Sequence, residues 1–187
     1  MKIRSTGGED YELVPEGLQA AVCTHCVELG LQETPWGAKE KMALVFELDA
    51  RMSDGRPFMQ SKIYTASTNE KSNFRKDLNT WRGKALSDEE ADGFDTDNLI
   101  NKGAYLNIVH NTKDGKTWSN IGGIMKVPAG IKVPKPTNQD IPDWLKKMRD
   151  SGIARMNAEA AASGPAVMAE KPAQTAQQVD DSDLLPF

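Results

Sequence analysis

Long apolar runs are missing from this chain. No stretch approaches the ~20 consecutive apolar residues of a bilayer crossing, and the first residues do not follow basic charge with an apolar segment as a secretory signal does. No membrane association is therefore expected, and the cytoplasm is the expected compartment. Cysteine is scarce: Cys23 and Cys26 are the only two in 187 residues, too few for a disulfide framework. They flank His25, but a structural zinc site wants a second closely spaced ligand pair, and His110 stands alone. On a strand, positions three apart point to opposite faces. Two reduced thiols and no metal are expected.

Catalytic signatures are also lacking. The chain has no Gly-rich phosphate loop ending in Gly-Lys-Ser/Thr, no nucleophile elbow and no His pair with Glu. Glu47 and Asp49, one residue apart on an expected strand, come nearest to Mg²⁺ ligands of a nuclease. Two carboxylates on one strand face are ordinarily just solvated, so the expectation is a binder that is not an enzyme and has no cofactor.

Positive charge is not in excess either: the formal net charge is -4. Its distribution says more. Asp88, Glu89, Glu90, Asp92, Asp95 and Asp97 form an acidic stretch without one basic residue, and Asp180, Asp181 and Asp183 add three more near the end. Setting those nine acids aside turns -4 into +5, which leaves room for a basic surface elsewhere. The apolar content of 39% and mean hydropathy of -0.55 are low for a fully compact chain, so part of it is expected to stay unfolded.

What is present is a change of apolar period along the chain. Residues 1–16 are polar and read as an N-terminal arm. Leu18, Ala20 and Val22 alternate, then Val27, Leu29 and Leu31 alternate in the opposite phase, which predicts one long strand with a bulge or bend near His25. Met42, Leu44, Phe46 and Leu48 predict a second strand over 39–50, Ser53-Asp54-Gly55 a hairpin turn, and residues 57–65 a third strand. Ser67 with Glu70 reads as a capping box, and Phe74, Leu78 and Trp81 form a helical stripe stopped at Gly83. Residues 104–111 and 117–127 are two more strands joined at Asp114-Gly115.

Pro128, Pro134, Pro136 and Pro142 then predict a linker, and residues 143–162 a short helix with Trp144, Leu145 and Met148 as its apolar patch. So small a patch leaves open whether the helix packs on its own domain, pairs in a homo-oligomer or stays loose. Residues 163–178 are mostly Ala, Pro, Gln and Gly and build no core. With the tip included, the ~25 residues from Ser163 predict a flexible tail of roughly 25–30 Å r.m.s. reach. At its end Asp180, Asp181 and Asp183 keep the chain solvated, while Leu184, Leu185, Pro186 and Phe187 offer an apolar tip. A slot edged by Arg or Lys would grasp the ring and a terminal carboxylate together.

Three strands, a helix and two strands over 17–130 is the element order of the OB-fold, a mainly β, five-stranded Greek-key barrel with its helix between strands 3 and 4. The tip resembles the acidic tail end of bacterial and phage single-stranded DNA-binding proteins, where Asp residues lead into a final aliphatic-Pro-Phe. Asp180, Asp181, Asp183, Leu185, Pro186 and Phe187 carry the match; Ser182 and Leu184 depart from it. The resemblance implies a protein that coats single-stranded DNA in replication, recombination or repair and recruits partner proteins through its tip. Its location would be the host cell cytoplasm if phage-encoded.

Binding single strands needs cations along the backbone path and rings on which bases stack. On the third strand, alternation puts Phe58, Gln60, Lys62 and Tyr64 on one side and Met59, Ser61 and Ile63 on the other. The first set is the expected DNA face, because burying Lys62 without a partner costs several kcal/mol. In OB-folds the loops between strands one and two and between strands four and five flank the binding surface. Here they hold Trp36, Lys39 and Lys41, and Lys113, Lys116 and Trp118. Arg51 and Arg56 extend the track, Arg75, Lys76 and Arg82 read as a solvated helix face, and the acidic stretch is expected on the far side. Two other readings remain at this stage: a recruitment adaptor of sliding-clamp-binding type, which the Ser182–Phe187 hexapeptide loosely suggests, and an RNA-binding OB protein.

Overall fold

The computed structural model describes residues 12–137 and 139–162. Most of the N-terminal arm (1–11) and the whole expected tail, its tip included, lie outside the described residues. The elements are β1 (Gly17–Gln32), β2 (Lys39–Arg51), β3 (Pro57–Thr65), α1 (Asn73–Arg82), α2 (Asp88–Ala91), a 3-10 turn (Thr96–Leu99), β4 (Gly103–Lys113), β5 (Lys116–Met125) and α3 (Asp143–Ala162). The five strands form one mainly antiparallel-paired sheet in the order β3-β2-β1-β4-β5.

The sheet is not closed. Its edges, β3 and β5, are bridged by side chains rather than a backbone ladder: Gln60 Nε2 donates to the Ser119 carbonyl at 2.7 Å, and Ser119 Oγ donates to Gln60 Oε1 at 3.3 Å. The tight β4–β5 turn is made by Asp114 and Gly115, both at positive φ (52° and 74°), the pairing a two-residue hairpin favours.

One face of the sheet carries the larger core. Leu44, Phe46 and Leu48 of β2, Leu106 and Ile108 of β4 and Ile121 and Ile124 of β5 meet Phe74, Leu78 and Trp81 of α1. The Trp81 ring sits 5.5 Å from Phe46, and its Nε1–H donates to the Gly103 carbonyl at 2.7 Å. The helix is capped by Ser72, whose hydroxyl accepts from the Arg75 N–H, and not by the Ser67 pair expected from sequence; Gly83 ends it in the left-handed conformation. A true capping box stands further on, Ser87 with Glu90, at the head of α2. Arg75 is also not the solvated residue expected. It is buried, donating to the Thr68 and Leu86 carbonyls and pairing with Asp88 at 2.7 Å.

The phase change in β1 is real: the pairing with β2 shifts between Cys23 and His25. Its consequence reverses the expectation for the cysteines. Because Thr24 is the extra residue, Cys23 and Cys26 lie opposite Phe46 and Leu44, two positions apart on β2, so both face the larger core. Both are free thiols. The neighbouring Cys26 sulfur, and then burial, push the Cys23 thiol far above its usual range.

The other face of the sheet is covered by residues 131–162, which belong to the same body. Val27 and Leu29 of β1 and Ala43 and Val45 of β2 pack with Ile141 and Leu145, with Met59 and Met148 at the margin. α3 crosses β1 at backbone contact, since a Cβ on Gly152 would run into the Leu29 carbonyl and one on Gly30 would meet the Gly152 backbone. Gln32 Nε2 ties the crossing, donating to Leu29 O at 2.6 Å and Met148 O at 2.9 Å. Upstream, fully buried Glu47 accepts from the Thr137 N–H (2.7 Å) and Oγ1–H (2.9 Å) and from the Gln139 N–H (3.3 Å). Those bonds fix the strap leading to α3, and they occupy the carboxylate on which a nuclease reading rested.

Candidate nucleic-acid interface

The face of β3 expected to hold DNA is part of the core. Phe58 is 5% exposed and Tyr64 3%, the latter edge-on to Phe74 with ring centroids 5.5 Å apart. Lys62 sits between them, and α1 supplies what the sequence argument lacked. Asp77 Oδ2 accepts from Tyr64 OH at 2.7 Å and pairs with Lys62 Nζ at 2.7 Å, while Lys62 Nζ lies 5.7 Å from the Tyr64 ring centroid. Burial first, then the charge of Asp77, pushes the Tyr64 hydroxyl well above its usual range. A shared carboxylate removes the penalty that argued for solvation. Phe58 and Tyr64 offer no ring to a base, and Lys62 is committed.

The opposite side of β3 opens onto a groove of about 1160 Å³. It runs along the seam between β3 and β5, from the β2–β3 turn to the start of α3. Met59, Ser61 and Ile63 line it from β3, which also brings Phe58, Gln60 and Lys62 to its border, Trp118 and Asn120 line it from β5, and Trp144 from α3. Three of its apolar side chains keep much of their surface in water: Ile63 39%, Trp118 42% and Trp144 45%. Such a wet apolar strip with polar neighbours suits a planar ligand. Within it Arg56 pairs with Asp54 at 2.7 Å across the turn, which holds the Asp54 carboxyl below its usual range.

The remaining expected residues divide by position. Trp118 lies in the groove, and Lys113 and Lys116 flank the hairpin that leads into it, exposed and in no ion pair among the described residues. Trp36, 84% exposed, tops a turn closed by reciprocal Thr34–Gly37 backbone hydrogen bonds. Register separates this loop from the groove's turn end: Lys41 pairs with Thr65 while Arg51 pairs with Pro57. Trp36, Lys39 and Lys41 therefore do not line the groove; Lys41 Nζ donates to Thr65 Oγ1 at 2.9 Å. None of the acidic residues 88–97 lines it. Asp180, Asp181, Asp183, Leu184, Leu185, Pro186 and Phe187 lie outside the described residues.

Sequence reasoning missed Trp144. Its signal was present, since an indole beside Leu145 lies 100° away on a helix, at the edge of any stripe that Leu145 centres. Leu145 is buried, so Trp144 is turned toward the groove margin. A second cavity, about 510 Å³, lies between β1 and α3 near His25 and Cys26; its cations Lys146 and Arg149 already pair with Asp140, Asp143 and Asp150. No family model matches the chain, and no curated protein matches it.

Proposed function

We propose that this protein binds single-stranded DNA on an OB-type body and recruits replication, recombination or repair proteins through its C-terminal tip. The observation that carries the reading is the groove along β3 and β5, where Trp118 stands exposed two residues after Lys116. The strand order, with α1 between β3 and β4 and the β3 and β5 edges bridged by Gln60 and Ser119, is consistent with an OB-fold whose closing ladder is replaced by side chains. OB-folds use such seams for strands whose bases stack on rings at roughly 1–3 kcal/mol each. The tip pattern from Asp180 to Phe187 adds the recruitment role.

Labelled oligo-dT, duplex DNA and RNA titrated at several salt concentrations test this, with tryptophan quenching followed in parallel. Expected is preference for the DNA single strand, with log K falling by about 0.7 per phosphate contact per log unit of salt. Equal affinity for duplex, or no binding of oligo-dT, rejects it. Tighter binding of RNA moves the reading to an RNA-binding protein.

A further inference from the structure

The charges inside the groove are already matched, and this decides which part of a nucleotide it accepts. Arg56 is held by Asp54, and Lys62 by Asp77. Glu12 accepts from the Ser53 N–H and hydroxyl, and Asp140 lies 3.6 Å from Lys146. What is left along the seam is uncharged: the amide of Asn120, the hydroxyl of Ser61 and the two indoles, the Gln139 Nε2–H already donating to the Pro57 carbonyl at 3.2 Å. A phosphate finds no free cation there, whereas a base finds flat apolar surface and both donors and acceptors for its edge.

Free cations stand immediately outside, one beside each indole. Lys116 and Trp118 are alternate residues of β5 and share its face. Lys147 follows Trp144 by three positions on α3 and shares that side of the helix. Both lysines are exposed, and neither is in an ion pair among the described residues. A ring with an ammonium beside it, presented once from the sheet and once from the helix, matches the base and phosphate of a nucleotide twice over.

Resting on the single-strand-binding reading, we infer that α3 is half of the binding site: Trp118 and Trp144 each stack a base directed into the groove, and Lys116 and Lys147 hold the phosphates that remain outside. The strap 131–142 and its Glu47 anchor then serve binding by holding Trp144 against the β3–β5 seam.

The full chain and its W144A, W144F, K147A and W118A variants, titrated with labelled oligo-dT at several salt concentrations, test the inference. W144A is expected to bind about tenfold more weakly and to lose part of the quenching, W144F to recover most of the affinity because a ring remains, and K147A to lower the salt slope by about 0.7. Since W144F and K147A leave the packing in place, they carry the test even if W144A lowers the melting temperature. W144A and K147A that titrate like wild type while W118A weakens binding would place α3 outside the site and leave the single-strand reading intact. Failure of the wild-type chain to bind oligo-dT would overturn both.

Discussion

The two faces of β3 differ less in composition than in what covers them. Lys62 and Tyr64 meet Asp77 of α1 and Phe58 joins the core, though Phe58 and Lys62 also border the groove; Met59, Ser61 and Ile63 look onto that groove beside Trp118 and Trp144. On the first face the two rings are buried and the ammonium is paired, while on the second Ile63 keeps 39% of its surface in water. A lysine on a strand thus reports solvent only when no carboxylate from another element is in reach, and a strand cannot show which helix will lie across it. The same lesson recurs at Arg75, which three acceptors bury.

Substitution across β3 should break this symmetry most sharply. Phe58→Ala is expected to cost about 3–5 kcal/mol as a core truncation, while Ile63→Ala, at a side chain 39% exposed, costs about 1 kcal/mol; equal urea midpoints for the two would invert the assignment of faces. Next in size is Asp77→Ala, which strands a half-buried ammonium and a buried phenol at about 2–4 kcal/mol. Adding Lys62→Met to it should restore part of the loss, and additivity of the two changes would deny the shared contact.

The smallest effect concerns the acidic stretch, the region with no counterpart in the groove. Arg82 first, then the Ser87 N–H, hold the Glu90 carboxyl at about 2, below its ordinary 4.5. A depressed folded value contributes stability that is whole above about pH 4.5 and is lost as pH falls toward 2. Glu90→Gln, which keeps the cap, should lower the urea midpoint slightly at neutral pH, leave it nearly unchanged near pH 2 and so flatten the acid limb between them. An unaltered limb would show that the Arg82 contact is not made in solution.

Much of the fold was legible because periodicity is local. Alternation marks β2 and β3, the phase change marks the bulge in β1, the Phe74, Leu78 and Trp81 stripe marks α1, and Asp114-Gly115 marks its hairpin. The cap of α1 was misplaced because Ser67 and Ser72 both offer a hydroxyl ahead of the same stripe, and only the path of the chain selects one. Of the expected interface, Trp118, Arg56, Phe58 and Lys62 border the groove, but the Phe58 and Tyr64 rings are buried in the core. Trp144 reaches the groove through long-range packing of α3, including a backbone contact between Gly30 and Gly152, residues 122 positions apart.

Sequence alone determined the five strands, the helices α1 and α3 and their order, since these follow from backbone geometry and the spacing of apolar residues. Tertiary structure decided which face of β3 is inside, that Glu47 anchors a strap, and that a C-terminal helix brings an indole to the sheet's open seam. Those outcomes depend on long-range partners such as Asp77 and Gly152, whose effect is set by what the fold places opposite them.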